Sequence, residues 1–109
     1  VPPPPQLATN LAGLQALMPQ VRNIRTTGSA ALSLAYVAAG RLSGFWEYGL
    51  NPWDVAAGVL MVQEAGGAVT DVAGNPYTLA VRDILATNGA IHSDMVAELT
   101  KAGETALPE

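Results

Sequence analysis

Two acidic residues, Glu47 and Asp54, lie seven positions apart in a segment whose residue types could carry chemistry. Glu47 lies near the end of an apolar stretch that is predicted to be a strand. Asp54 follows an Asn-Pro pair, which is typical of the start of a helix. Because the loop between them bends the chain, both carboxylates can face one crevice at the carboxyl end of a strand. Open α/β sheets usually bind their ligands there.

Each acid also has an ordinary structural explanation. The helix dipole stabilises an acid in the first turn of a helix, so Asp54 is explained either by that effect or as a ligand for a hard cation such as Mg²⁺. Glu47 is either a solvated strand end or an acceptor for the hydroxyl groups of a ligand. No second acidic cluster that would complete a metal site is evident in the sequence.

Other candidate groups give weaker signals. Gly28, Ser29 and Ala30 form a predicted helix start, where free backbone N–H groups can bind an anion, although this is also common helix-start chemistry. The single histidine, His92, is expected to be a surface cap before the last helix. The chain has no cysteine, and no serine is placed beside a histidine and an acid, so a nucleophilic triad is not supported.

The elements that must position these groups alternate between helix and strand. Helices are predicted at 8–18, 30–39, 52–65 and 93–102, and strands at 21–26, 42–48, 68–72 and 84–87. Pro19 stops the first helix, Ser29 caps the second and Gly40 ends it. The second helix is expected to be buried on most sides. The alternation predicts an α/β domain with partly parallel strand pairing.

Domain organisation follows from the same pattern. Residues 1–6 contain the run Pro2–Pro5 and are predicted to be an extended terminus. Residues 7–103 form one domain, and residues 104–109 form a polar tail.

Composition excludes several classes of function. The net charge of −4 argues against nucleic-acid binding, and no apolar run reaches the roughly 18–20 residues that span a bilayer. The N-terminus lacks the basic and apolar regions of a signal peptide, so we expect a cytoplasmic protein.

The low charge content has a consequence for association. Only 13% of the residues are charged, against roughly 25% in a typical soluble domain, so we expect either that apolar surface faces a partner or that the chain is part of something larger. The aromatic residues that lie close together in sequence, and are therefore expected at such a contact, are Phe45, Trp46, Tyr48 and Trp53. Taken as single residues, Trp46 and Trp53 are interpreted as packing anchors.

One segment is specific enough to indicate a family. Pro52 to Gly58 (Pro-Trp-Asp-Val-Ala-Ala-Gly), continuing to Glu64-Ala65-Gly66-Gly67, resembles the C-terminal signature of the inositol monophosphatase family. Arg25 to Leu32 and Gly44 to Glu47 are also in family order and spacing, and a looser similarity continues into the last helix. The resemblance implies the C-terminal α/β subdomain of a layered sugar-phosphatase fold, a mixed sheet with flanking helices.

The resemblance also implies a chemistry. Members of this family are Mg²⁺-dependent, lithium-sensitive phosphomonoesterases, usually dimeric, in which a metal-activated water attacks the phosphate. On this basis Asp54 is a metal ligand and Glu47 binds a substrate hydroxyl. Gly28, Ser29 and Ala30 contact the substrate through a helix start. No catalytic residue is assigned to this half of the family's length.

The chain differs from the pattern of the family in one large respect. A further metal-ligating Glu and an Asp-Pro-x-Asp-Gly-Thr segment belong to the family's N-terminal half, and no such segment occurs here. We therefore expect part of a Mg²⁺-dependent phosphatase for a small sugar- or polyol-phosphate, inactive alone. Its expected partners are the N-terminal half of the same enzyme and a second copy in a homodimer. The alternative is a non-catalytic module that keeps the fold and uses its exposed face to dimerise.

Overall fold

The computed structural model describes residues 4–21 and 29–106 of the chain. Within these ranges the elements are α1 (Pro4–Leu17), a 3₁₀ helix (Met18–Gln20), α2 (Ala30–Ala38), β1 (Gly44–Tyr48), α3 (Pro52–Glu64), β2 (Ala68–Thr70), β3 (Asp83–Thr87) and α4 (His92–Ala106). The α/β class predicted from the sequence is confirmed. None of the described helices is long and apolar enough to cross a membrane.

The two end helices are longer than predicted. α1 begins at Pro4, so residues 4–6 are helical and the prediction of an extended segment is wrong for them. Proline is tolerated in the first helical turn, where its missing N–H would have no partner. α4 continues to Ala106, so residues 104–106 are helical instead of belonging to a tail. The strand predicted at 21–26 lies, apart from residue 21, outside the described residues.

The sheet has the order β1-β3-β2, and both pairings are antiparallel among the described residues. Parallel pairing was predicted because a single helix, α3, connects β1 to β2. These two strands do run in the same direction, since each is antiparallel to β3. However, β3 lies between them although it comes last in the chain. For the strands that the structure describes, the prediction of parallel pairing is therefore wrong, because it assumed that strands joined by one helix are neighbours.

The central strand is buried on both faces. Because side chains alternate along a strand, Ile84 and Ala86 of β3 lie in one hydrophobic cluster and Leu85 lies in another. Residues of α2 and α3 complete the first cluster, and residues of α1 and α4 complete the second. Burying a side chain such as Ile84 or Leu85 stabilises the fold by about 1.5–3 kcal/mol.

Alternation along β1 decides which way Glu47 faces. Phe45 packs against the α2–α3 cluster, whereas Trp46 and Tyr48 pack against the α1–α4 cluster. Glu47 therefore lies on the α2–α3 side of the sheet. These three aromatic residues are half-buried and pack against the core clusters, so they offer less free surface for the predicted contact than the sequence suggested. Trp46 is a packing anchor as predicted, but Trp53 is 78% exposed and is not one.

Helix α2 is buried on one side only. Ser29 caps it as predicted, since its Oγ accepts a hydrogen bond from the Leu32 backbone N–H at 3.1 Å. Leu34 and Val37 are buried, but Leu32 is 41% exposed, so the expectation of burial on most sides is wrong. α2 packs closely on α3 because position 58 is glycine. A Cβ at Gly58 would lie 2.6 Å from Leu34 Cβ.

Candidate functional site

The two acids lie at opposite ends of the connection from β1 to α3. Glu47 pairs with Ile84 in the β1–β3 ladder and is half-buried. Asp54 is the third residue of α3 and is exposed. Its backbone N–H donates to the Asn51 carbonyl oxygen at 3.0 Å, while the Asn51 side chain makes no capping hydrogen bond. The strand end and the helix start are therefore separated by residues 49–51 alone.

This three-residue loop is held in place by Arg82. Tyr48 pairs with Asp83, so a regular ladder would next place Gly49 opposite Arg82. Instead, Gly49 has φ +73° and the Leu50 N–H donates to the Arg82 carbonyl oxygen at 2.8 Å. Two residues on one side thus oppose one on the other, as in a β-bulge with glycine in the left-handed region. Arg82 Nε also donates to the Leu50 carbonyl oxygen at 2.6 Å.

The electrostatics indicate that the two acids interact. Burial raises the pKa of the Glu47 carboxyl above its ordinary value, and the negative charge of Asp54 raises it further. Both effects disfavour the ionised form of Glu47. A cation placed near the pair would act in the opposite direction, because it stabilises both carboxylates. The arrangement is thus better suited to a positively charged ligand than to an anion alone.

The two carboxylates of this site are groups of the kind that bind a hard cation. Carboxylate oxygens are the preferred protein ligands of Mg²⁺ and Ca²⁺, and the Asp54 side chain is open to solvent. However, no group of three or more His, Cys, Asp or Glu residues that could hold a metal is found among the described residues. This part of the chain can therefore supply only some of the ligands of such a site.

The predicted anion-binding helix start is described in part. Ser29 and Ala30 lie at the N-terminus of α2, while Gly28 lies outside the described residues. The Ser29 hydroxyl is used for capping, and the first backbone N–H groups of a helix have no acceptor within it. α2 packs on α3 through Leu34 and the α3 residue Gly58, so this helix start and Asp54 belong to neighbouring helices on the same side of the sheet.

His92 has a different place from the one predicted. Its two ring nitrogens lie 2.8 Å and 2.9 Å from the hydroxyl oxygens of Thr70 and Thr87. It is the first residue of α4, but it joins β2, β3 and that helix instead of serving as a surface cap. The prediction failed because both partners are set by the tertiary fold. Thr70 lies 22 positions away in sequence.

Arg82 was not predicted from the sequence. Its contact with Leu50 joins residues 32 positions apart. No spacing or motif within the chain points to that pairing. A strand order placing β3 beside β1 would have been the signal, since Arg82 directly precedes β3.

Comparison with known proteins identifies the family. A model of the inositol monophosphatase family matches residues 3–104. The chain belongs to the inositol monophosphatase family. Members of this family act on phosphate esters, and the resemblance expected from the Trp-Asp segment is confirmed.

Individual inositol monophosphatase relatives cover most of this chain. The inositol-1-monophosphatase of Mesorhizobium japonicum is 46% identical over 91 residues, which are 84% of this chain and 34% of that protein. The Nus factor SuhB of Escherichia coli is 49% identical over 83 residues, which are 76% of this chain and 31% of that protein. The chain thus spans about a third of the length of these relatives.

A solved structure agrees with the fold. The extragenic suppressor protein suhB from Bartonella henselae superposes with a TM-score of 0.86 at 48% identity, covering 93% of this chain and 39% of that one. The architecture is therefore that of one part of an inositol monophosphatase fold.

Proposed function

We propose that this chain is the C-terminal part of a Mg²⁺-dependent phosphomonoesterase that hydrolyses a small sugar- or polyol-phosphate. The observation that carries the proposal is the placement of Glu47 and Asp54 at the two ends of the β1–α3 connection, where the charge of Asp54 acts on Glu47, inside the segment that matches the family. The chain spans about a third of its relatives' length, and its described residues hold no three-ligand metal group. We therefore propose that it is inactive alone.

Each residue of the site has a distinct proposed role. Asp54 would hold Mg²⁺ through its exposed carboxylate, together with ligands from the N-terminal half of the same enzyme. Glu47 would accept hydrogen bonds from hydroxyl groups of the substrate, because a carboxylate repels the phosphate itself. Backbone N–H groups at the start of α2, at Gly28, Ser29 and Ala30, would contact the substrate's anionic end.

The metal supplies what these side chains lack. Mg²⁺, when bound, acts as a Lewis acid on the phosphate and generates an activated water. The contribution of this chain is positioning: α3 fixes Asp54 in a first helical turn, and β1 fixes Glu47 in a paired strand. Two further expectations, a homodimer and a cytoplasmic location, belong to the same proposal and rest on the family resemblance and the composition of the chain.

A chimera tests the proposal directly. This chain would replace the matching part of the Mesorhizobium japonicum inositol-1-monophosphatase, which supplies the remaining length. We expect Mg²⁺-dependent release of phosphate from inositol monophosphate. Asp54→Asn removes the charge of a hard-cation ligand, so it should lower activity at least roughly 100-fold and raise the Mg²⁺ requirement while the fold remains intact.

A matched control and two contrary outcomes complete the test of Asp54→Asn. Asp94→Asn changes another exposed acid in the first turn of a helix, α4, and should leave activity within about twofold. Near-normal activity of Asp54→Asn at low Mg²⁺ would remove Asp54 from the site. A folded chimera that releases no phosphate would favour the alternative of a non-catalytic dimerisation module.

A further inference from the structure

The connection between the two acids has an unusual anchor. Both backbone polar groups of Leu50 are bound by one residue, Arg82, through the 2.8 Å bond to its carbonyl oxygen and the 2.6 Å bond from its Nε. Leu50 is only 6% exposed, so its carbonyl oxygen needs a partner, and the arginine side chain provides a charge-assisted one. Arg82 itself is exposed. The guanidinium therefore binds the loop and does not pack into the core.

The position of Leu50 in the chain makes this anchor relevant to the site. It is three residues after Glu47 and four before Asp54. Gly49, at φ +73°, lets the chain turn away from the ladder, and Asn51 begins α3. The relative placement of the two carboxylates therefore depends on how Leu50 is held. A shift of Leu50 would move the start of α3 relative to the end of β1.

We propose that Arg82 is a positioning residue of the site, which sets the relative placement of Glu47 and Asp54 by fixing the 49–51 loop. This inference rests on the proposed function for its catalytic consequence. Arg82 acts through Leu50 and touches neither acid in this role. Lysine is a poor substitute, because its ammonium is a flexible point charge while the Nε–H of arginine belongs to a rigid planar fork.

Hydrogen exchange in the 109-residue chain tests the positioning role without any activity. The Leu50 and Asp54 amides donate to Arg82 and Asn51 within the connection, whereas the Leu85 amide belongs to the central strand. Arg82→Met keeps the aliphatic stem and removes the donor. We expect exchange at the Leu50 and Asp54 amides to accelerate roughly tenfold or more while the Leu85 amide is unchanged, since local openings do not require global unfolding.

A matched arginine supplies the control. Arg41 is also exposed, and its guanidinium lies over the Tyr36 ring, 5.8 Å from the centroid, away from the 49–51 loop. Arg41→Met should therefore leave exchange at all three amides unaltered. Unchanged Leu50 and Asp54 exchange in Arg82→Met would overturn the inference. An equal acceleration at Leu85 would also overturn it, because it would show ordinary loss of stability.

The chimera then measures the consequence for catalysis. Replacing a group that orients a metal ligand typically costs 10- to 100-fold in metal affinity or activity. We expect Arg82→Met to raise the half-saturating Mg²⁺ concentration roughly tenfold, with Arg82→Lys recovering only part of that loss. An unchanged Mg²⁺ curve would contradict the inference. If Asp54→Asn leaves the chimera active, the proposed function fails, but the exchange data still decide the role of Arg82.

Discussion

Glu47 is a carboxylate whose surroundings raise its pKa. Burial is the larger cause of its raised pKa, and the charge of Asp54 is the smaller one. A nearby cation would act in the opposite direction on this pKa and favour the ionised form, which accepts hydrogen bonds from hydroxyl groups. In the site we propose, the metal held by Asp54 would have this effect.

Glu47→Gln is expected to change specificity more than metal dependence. Glutamine keeps the shape but loses the charge and one acceptor, and a hydrogen bond to a charged group is worth roughly 1.5–3 kcal/mol. In the chimera we expect kcat/KM to fall roughly tenfold or more for esters whose alcohol presents hydroxyl groups. Esters without hydroxyl groups should change little. Measured kcat/KM for several esters, each over a Mg²⁺ series, checks this ranking.

One pattern of results would contradict the prediction for Glu47→Gln. If every ester loses activity by the same factor and the Mg²⁺ curve moves, Glu47 belongs to the metal site instead of the hydroxyl-binding site. Gln63→Glu, at an exposed position of α3, is a suitable control because it also changes the charge by one unit, but on an element other than β1, which carries Glu47. It should leave the ranking of esters unchanged.

For single residues, the sequence predicted those features that depend only on neighbouring residues in the chain. The Asn-Pro pair before Asp54 and the capping Ser29 predicted two helix starts correctly, because caps act within one turn. Arg82 and His92 escaped prediction, because their partners lie 32 and 22 positions away. Their roles depend on the order of the strands, which no local pattern encodes.

The neutral imidazole of His92 connects β2, β3 and α4 through hydrogen bonds. The Thr70 hydroxyl donates to the Asp71 carbonyl oxygen at 2.6 Å, so it accepts from His92 Nε2–H. Thr87 Oγ1 accepts from the Gly89 N–H at 3.0 Å and is left to donate its proton to His92 Nδ1. When His92 is protonated, Nδ1 carries a proton and can no longer accept a hydrogen bond from the Thr87 hydroxyl. Thr87 is fully buried, so its hydroxyl proton would then lack a partner.

We expect the stability of the chain to fall as the pH drops below about 6.5. Burial lowers the pKa of His92 from its ordinary value of 6.5, so the unfolded chain binds the proton more readily than the folded one. Stability from this group is therefore complete above pH 6.5 and is lost on acidification. Urea unfolding between pH 8 and pH 5 should show a loss of about 1 kcal/mol, the usual net worth of one hydrogen bond.

The variant His92→Gln isolates this contribution. Glutamine cannot titrate, so the difference in unfolding free energy between the two proteins should depend on pH only through His92, with the carboxylates common to both. His92 is the single histidine of the chain, so its NMR signals are assigned without ambiguity. A parallel pH dependence of the two proteins, or a His92 pKa above 6.5, would contradict the prediction.

The elements themselves were predicted better than their arrangement. α2, β1, α3 and β3 lie close to their predicted places, because hydrophobic periodicity and glycine or proline punctuation are local signals. The sheet order was not predictable in the same way, since any of the three strands could have been central. The decisive feature is that β3 is apolar on both faces over Ile84, Leu85 and Ala86, which is typical of a central strand.

For the molecule as a whole, the outer side of α3 stands out. Trp53, Leu60 and Met61 are 78%, 57% and 43% exposed on this one helix. Apolar side chains exposed on one helix are candidates for a contact site, because large exposed apolar patches mark such sites in proteins. The contact surface we expect therefore consists of these residues of α3 instead of the aromatic residues of β1.

The 109-residue chain is expected to self-associate through this side of α3. Sedimentation velocity over a wide concentration range should show a dimer or a larger species for the wild type. Leu60→Lys should shift it toward monomer by roughly tenfold or more in the dissociation constant, as burying an unpaired charge at a contact is costly. Leu79→Lys is the matched control, since Leu79 is 58% exposed in the segment between β2 and β3.

Two results would defeat this expectation. The wild-type chain could sediment as a monomer at every concentration, without binding a hydrophobic dye. Alternatively, Leu60→Lys and Leu79→Lys could weaken association equally, which would place the contact elsewhere.

The central place of β3 also governs how this part of the protein is built during translation. β1 and β2 have no strand partner among the described residues until β3 has been made, because both pair with β3 and not with each other. A nascent chain that has emerged from the ribosome only as far as Gly74 presents both of these strands without the strand that lies between them. Unpaired strand edges are where chains join one another wrongly. The nascent chain therefore passes through an interval in which β1 and β2 lack their common partner, and the interval closes when residues 83–87 emerge.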